Sequence, residues 1–235
     1  MASKKVVVLQ SNYLPWKGYF DLISKADLFI FYDDVQFTKN DWRNRNKIKT
    51  PRGAEWISIP CGTDLKQLIN EVTIAKHDWQ HDHWNRISMN YSKAAYFNLY
   101  KAFFEDFYLN AKWTNLSQLN QHLIVFIAKK ILGITTEFEN SLSYHPTGVR
   151  MERLLDVLRK AGATEYISGP SARSYIAEDA FLRENIKLTW MDYSRYPEYR
   201  QLFPPFVHDV SIIDLLFNEG PDAIRYLHST NLTQH

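Results

Sequence analysis

The stretch "VVVLQSNYLPWKGYFDLISKADLFIFYDD", residues 6–34, leaves an apolar run for hydrogen-bonding groups and rings and closes on two carboxylates. Gln10, Asn12 and Tyr13 can donate and accept hydrogen bonds, and Trp16 and Tyr19 offer flat faces for stacking. Pro15 fixes its own backbone and drives Leu14 out of the right-handed helical region, while Gly18 permits a tight turn or close approach to a ligand. A helix starting near Lys17 to Tyr19 would present free N–H groups suited to phosphate or carboxylate.

The next stretch, "YDDVQFTKNDWRNRNKIKT", sets Asp33, Asp34, Gln36, Lys39, Trp42, Arg43, Asn44, Arg45 and Lys47 directly after an apolar run. Arginine forks grip carboxylates or phosphates in pairs of hydrogen bonds, so this loop reads as a clamp for a nucleotide or sugar phosphate. Asp33 and Asp34 could hold Mg²⁺ with substrate phosphates, or one could serve as a general base. A solvated loop closed by its own salt bridges is the alternative. Further along, "YISGPSARSYI" places Ser168, Gly169, Ser171, Arg173 and Tyr175 at a second expected strand-to-helix turn able to cradle an anion. In "SYHPTGVRMERL", His145 is a candidate proton shuttle. "KHDWQHDHW" carries His77, His81 and His83 with Asp78 and Asp82, but reads as a polar helix entry, and no metal site is assigned.

Groups so far apart in sequence need a scaffold that brings them together. "KKVVVL", "GYFDLISKA" and "DLFIFYDD" read as strand, helix, strand, the unit of a parallel sheet whose ligands bind beyond the carboxyl ends of the strands. Phe20, Leu22, Ile23 and Ala26 form the apolar face of that helix. "AEWISIPC" and "LINEVTIA" read as further strands, and residues 83–132 as two long helices inserted into the sheet. "TEFENSLSY", "TEYISG" and "KLTWMDY" read as strands separated by helices at "GVRMERLLDVLRKAGA" and "SARSYIAEDAFLRENI", followed by a C-terminal helix pair broken at Gly220 and Pro221. The fold class expected is α/β with a mainly parallel, nucleotidylyl-transferase-like or Rossmann-like sheet. Residues 1–235 are expected to form a single domain carrying the helical insertion.

A chain of 235 residues with 45% hydrophobic and 23% charged residues can bury a substantial core. Seven Trp and 14 Tyr favour sites for sugars, bases or other planar guests. A net charge of +2 argues against nucleic acid as a bulk partner. Cys61 is the single cysteine, so no intrachain disulfide can form, and no Cys-His motif marks it as a nucleophile. The apolar run after "MASKK" is too short for a signal peptide or a membrane span, and a cytoplasmic protein is expected.

Two resemblances extend this reading. The order strand, glycine-bearing turn, helix, "KAD" and strand is similar to nucleotidylyl-transferase-like enzymes related to pantothenate synthetase, although Trp16-Lys17-Gly18-Tyr19 keeps only the glycine of their His-x-Gly-His motif. Residues 9–50, the Trp-Ile-Ser-Ile-Pro strand, "YISGPSARSYI" and "SIIDLLFNEGP" resemble the WbqC-like protein family, with Ser11 where that family's pattern has Pro. The resemblance implies a bacterial cytoplasmic protein of O-antigen or other surface-polysaccharide biosynthesis that transfers glycine or a similar acyl group to a nucleotide-linked amino sugar. The nucleotidylyl-transferase-like resemblance is to enzymes that activate carboxylates with ATP, which with the Asp33 and Asp34 pair makes ATP and Mg²⁺ the cofactors to look for. A glycosyltransferase using a nucleotide sugar and a non-catalytic nucleotide-sugar-binding protein are the alternatives; oligomeric state is left open.

Overall fold

The computed structural model describes residues 3–227 apart from 63, 65, 75 and 77, so His77 lies outside the described residues. The chain opens with strand β1 (Lys5–Leu9), helix α1 (Lys17–Ser24) and strand β2 (Leu28–Phe31). An antiparallel hairpin follows, β3 (Arg45–Thr50) paired with β4 (Gly53–Ser58). Three helices come next, α2 (Asp78–Tyr91), α3 (Phe97–Leu109) and α4 (Leu116–Phe126). The chain then returns through β5 (Glu137–Asn140), α5 (Met151–Lys160), β6 (Glu165–Ser168), α6 (Glu178–Arg183), β7 (Lys187–Trp190) and α7 (Ile212–Glu219).

The main sheet is parallel throughout, in the order β5-β2-β1-β6-β7. Its central strands are unbroken apolar runs because both faces are covered. Val7, Phe29 and Phe31 join the core that contains α1, the helical insertion and α7. Val6, Val8, Leu28 and Ile30 point the other way, to Leu155 and Leu158 of α5 and Phe181 of α6. The α/β class with a mainly parallel sheet is therefore what the chain adopts.

Several local expectations are corrected. Residues 45–50, expected within a loop, form β3 because they pair along their length with β4, which places Arg45 and Lys47 on a hairpin outside the main sheet. "LINEVTIA" is not a strand: it makes a short 3-10 turn at Ile69–Glu71, with lone bridges from Leu68 to Gln36 and from Thr73 to Asn115. The helical insertion starts at Asp78 rather than His83, and its first helical pattern breaks into α2 and α3, where the Tyr96 N–H turns away to the Phe217 carbonyl at 2.9 Å. The segment 171–186 divides into a 3-10 turn (Pro170–Ser174) and the short α6.

Asp33, just past β2, ties the carboxyl edge of the sheet to the insertion. Its carboxylate accepts from the Ser11 N–H at 2.8 Å, from Gln121 Nε2 at 3.0 Å and from the Ser117 hydroxyl. A proline at position 11 would remove the first of these donors. Replacing Asp33 by Ala takes the acceptor from two buried donors, the Ser11 N–H and the Ser117 hydroxyl, while Gln121 keeps Asn140 and Ser117 as partners; the expected loss is about 3 kcal/mol, read as a lowered urea midpoint. A midpoint equal to wild type would show that the carboxylate carries no such load.

Candidate functional site

The sheet order reverses between β1 and β6, where connections leave in opposite directions and a crevice opens beyond the strand ends. A cavity of about 900 Å³ occupies that position.

Its first wall is the turn after β1. Leu14 takes φ 43°, a left-handed conformation rather than the extended one expected before proline. This strained residue is fully buried, and Asn46 Nδ2 holds the turn by donating to the carbonyls of Tyr13 at 3.2 Å and Leu14 at 2.7 Å. The turn delivers Gln10, Asn12, Trp16 and Tyr19 to the cavity. Trp16 folds back over the start of α1, where a Cβ on Gly18 would lie 2.2 Å from the indole, so only glycine leaves room for it. Tyr193 and Tyr196 meet the same indole edge-on, with ring centroids at 5.1 and 5.7 Å.

The second wall is the segment leading into the hairpin, which supplies Trp42 and Arg43. The Arg43 guanidinium donates to Gln10 Oε1 at 2.7 Å and to Asn12 Oδ1, so two amide oxygens of the first turn orient it. The third wall is the turn after β6, with Ser168, Gly169, Ser171 and Tyr175, together with Tyr193. The start of α5 adds Arg150, Met151, Arg153 and Leu154, and the ends of the strands add Tyr32 and Tyr166. Arg153 donates to the Pro146 carbonyl at 2.8 Å and pairs with the buried Asp34, which also accepts from Ser141. Burial pushes the Tyr32 phenol up to about 12 against the pull of Arg153, and pushes Tyr166 up to about 12 as well, so both stay protonated donors near neutral pH.

The cavity therefore gathers Gln10, Asn12, Trp16, Tyr19, Trp42, Arg43, Ser168, Gly169, Ser171 and Tyr175 from three turns distant in sequence. Other candidates lie elsewhere. Tyr13 is in the core, its hydroxyl paired with Tyr108 and with His83 Nδ1 at 2.8 Å. Asn44 is buried and bonds the Ile59 carbonyl, while Gln36 and Lys39 face outward. Arg45 stacks on Trp56 at 4.2 Å, Lys47 pairs with Asp209, and Arg173 lies over Trp190 at 5.2 Å. His145 is exposed, caps a 3-10 turn and lends its carbonyl to Lys160. Asp33 and Asp34 do not line the cavity, and their contacts to hydroxyl, amide and guanidinium donors do not fit a Mg²⁺ pair. The three arginines and flanking rings do fit the phosphates and base of a nucleotide, ATP included. Among the described residues, no group of three His, Cys, Asp or Glu is arranged to hold a metal. Burial raises the Cys61 thiol to about 12, which keeps it protonated and poorly nucleophilic.

Arg150, Arg153, Tyr32 and Tyr193 are lining residues that sequence reasoning did not select. The first two sit in "GVRMERL", beside the His145 that was selected, and their signal was a pair of arginines at the start of a helix.

Lys17 lies under the segment between β7 and α7 instead of in the cavity. Its ammonium donates to the Pro197 carbonyl at 2.9 Å and sits 5.1, 5.3 and 5.6 Å from the rings of Tyr196, Tyr199 and Phe206. Burial pulls its pKa down to about 8, with Glu198 and Asp214 pulling back.

A WbqC-like protein family model matches residues 10–226. The uncharacterized protein Rv1507c of Mycobacterium tuberculosis (strain ATCC 25618 / H37Rv) is 48% identical over 228 residues, covering 95% of this chain and 98% of that protein. No solved structure matches. No helix of the described residues is long and apolar enough to cross a membrane.

Two outcomes follow from this geometry. Gly18→Ala forces the Trp16 indole aside, with an expected cost of about 1–3 kcal/mol for overpacking and a changed near-UV circular dichroism spectrum; an unchanged spectrum and urea midpoint would show that the indole does not depend on this glycine. Because the folded pKa of Lys17 is lowered from 10.5 to about 8, the unfolded chain binds more protons between those values, and this group makes stability rise with pH there. Urea midpoints of wild type minus Lys17→Met should accordingly increase from pH 8 to pH 10, and a flat or falling difference would contradict the burial effect.

Proposed function

The chain belongs to the WbqC-like protein family, and we propose that it is an acyl or aminoacyl transferase acting on a nucleotide-linked amino sugar in bacterial surface-polysaccharide biosynthesis. The observation that carries this is one cavity at the strand-order reversal in which Arg43, Arg150 and Arg153 stand among Trp16, Trp42, Tyr32 and Tyr193. Cationic forks suit a diphosphate, and large rings suit a base or sugar face. Arg43 is the principal phosphate grip because Gln10 and Asn12 fix its plane before any ligand arrives, which lowers the ordering cost of binding. Arg153 is held by Asp34, and Asp33 holds the turn that carries Gln10 and Asn12, so the two carboxylates act as positioning groups.

The reaction joins the neutral amine of the sugar to an activated acyl donor such as an ester, thioester or acyl phosphate. The amine lone pair attacks the carbonyl carbon and the C–N bond forms. The bond to the leaving group breaks with its electron pair, and the amine proton passes to water or to the departing group. Tyr32 and Tyr193, both with phenols raised by burial, are donors able to face an oxygen that becomes negative during the attack.

The test is titration calorimetry with UDP- and dTDP-linked sugars, followed by mass spectrometry of the nucleotide-linked amino sugar after incubation with activated glycine or acetyl donors. The expected results are binding by wild type, a product heavier by one acyl group, and a loss of about 10- to 100-fold in affinity for Arg43→Ala, the range for one charge-assisted grip. Wild-type binding that Arg43→Ala leaves unchanged would overturn the role given to the cavity, and binding without transfer from any donor would overturn the transferase activity.

A further inference from the structure

The main cavity draws its lining from both faces of the sheet, and the two sides differ in chemistry. The β1 turn and the approach to the hairpin supply the amides of Gln10 and Asn12, the Arg43 guanidinium and the indoles of Trp16 and Trp42. The opposite wall is aliphatic: Val8 of β1, Met151 and Leu154 of the first turn of α5, and Ala172 and Ile176 beyond β6. All of these belong to the cluster on the α5 and α6 face, with Val8, Ala172 and Ile176 buried in it and Met151 and Leu154 packed against it.

Tyr32 and Tyr166 pack in the same cluster and line the same cavity. Both phenols are raised by burial and stay protonated, so each can donate to a carbonyl oxygen. Among the described residues, no Asp, Glu, His or Lys lines the cavity. A diphosphate, a base or a hydroxylated sugar is gripped by amides, guanidiniums and rings, and gains little from the aliphatic wall. A hydrocarbon chain gains from it directly, and the thioether of Met151 adapts to the chain's shape.

We infer that this wall is the donor compartment, and that the donor is an alkanoyl ester or thioester rather than a glycyl one. The inference rests on the transferase reading above and narrows its substrate class. The ammonium of a glycyl donor would give up water against an aliphatic wall where no lining residue offers a counter-charge, whereas a propionyl group of the same size brings a methyl group there. With a thioester, the neutral amine of the acceptor bonds to the acyl carbon and the C–S bond breaks with its electron pair on sulfur. The proton lost by nitrogen ends on that sulfur, so the products are an amide and a thiol.

The test is titration calorimetry of the full chain with S-acyl-N-acetylcysteamine thioesters, the acyl group being acetyl, butyryl, hexanoyl, propionyl or glycyl, and separately with UDP. Wild-type affinity should rise about fourfold for each methylene added from acetyl to hexanoyl. Propionyl should bind at least about tenfold more tightly than glycyl. Ala172→Phe, which fills the compartment, should hold hexanoyl to the affinity of butyryl, and Met151→Ser, at a half-buried position, should weaken hexanoyl while leaving acetyl as in wild type. Both variants should bind UDP as wild type does. A flat wild-type series, glycyl bound as tightly as propionyl, or a chain-length dependence that survives Met151→Ser and Ala172→Phe overturns the compartment. Loss of UDP binding in wild type overturns instead the phosphate grip of Arg43, and a chain-length dependence without transfer to any amino sugar overturns the transferase reading, and the donor role with it.

Discussion

A parallel sheet whose strand order reverses cannot cover both sides of the reversal with the same connection. Here β1 leads to β2 on one side while β6 leads to β7 on the other, so the chain leaves the ends of β1 and β6 in opposite directions and a gap is built into the topology. The other features of the site fill the rim of that gap. The β1 turn, the β6 turn, the start of α5 and the approach to the hairpin are adjacent because the sheet puts their strands side by side, not because they are near in sequence.

Keeping such a gap open requires a stiff rim, and the stiffness comes from polar groups buried behind it. Asp33 draws in the Ser11 N–H and the insertion helix α4, Asp34 anchors Arg153, and Asn46 satisfies two carbonyls of a turn in which Leu14 is strained. Each of these carboxylates and amides is costly to bury and is retained with partners, as the physics of dry interiors demands. The same economy explains why the cations near the surface divide. Arg43 is pre-set by two amide oxygens toward the cavity, whereas Arg45 and Lys47 rest on the Trp56 ring and Arg173 on Trp190, and none of these three lines the cavity.

The sheet was legible in the sequence because four-residue apolar runs such as Leu28 to Phe31 have no other reading between a helix and a polar loop. The β1 turn was legible for a related reason, since Pro15 and Gly18 announce an abrupt change of direction next to hydrogen-bonding residues. The hairpin was not, because Arg45, Asn46, Lys47 and Lys49 look like a solvated run, and what makes them a strand is pairing with β4 plus the burial of Ile48 and Lys49. Lys17 misled in the opposite way: a lysine at a helix start suggests a phosphate contact, but a remote segment supplies three rings and a carbonyl that enclose it. Arg150 and Arg153 could not be ranked from sequence alone because their value depends on where α5 begins relative to β1, which only the fold determines.

The most direct measurement is a crystal structure of the chain soaked with a nucleoside diphosphate sugar. Diphosphate density beyond the ends of β1 and β6, with oxygens within hydrogen-bond reach of the Arg43 guanidinium, is the result predicted. Ordered diphosphate on another face, with the crevice filled only by water, would contradict the account.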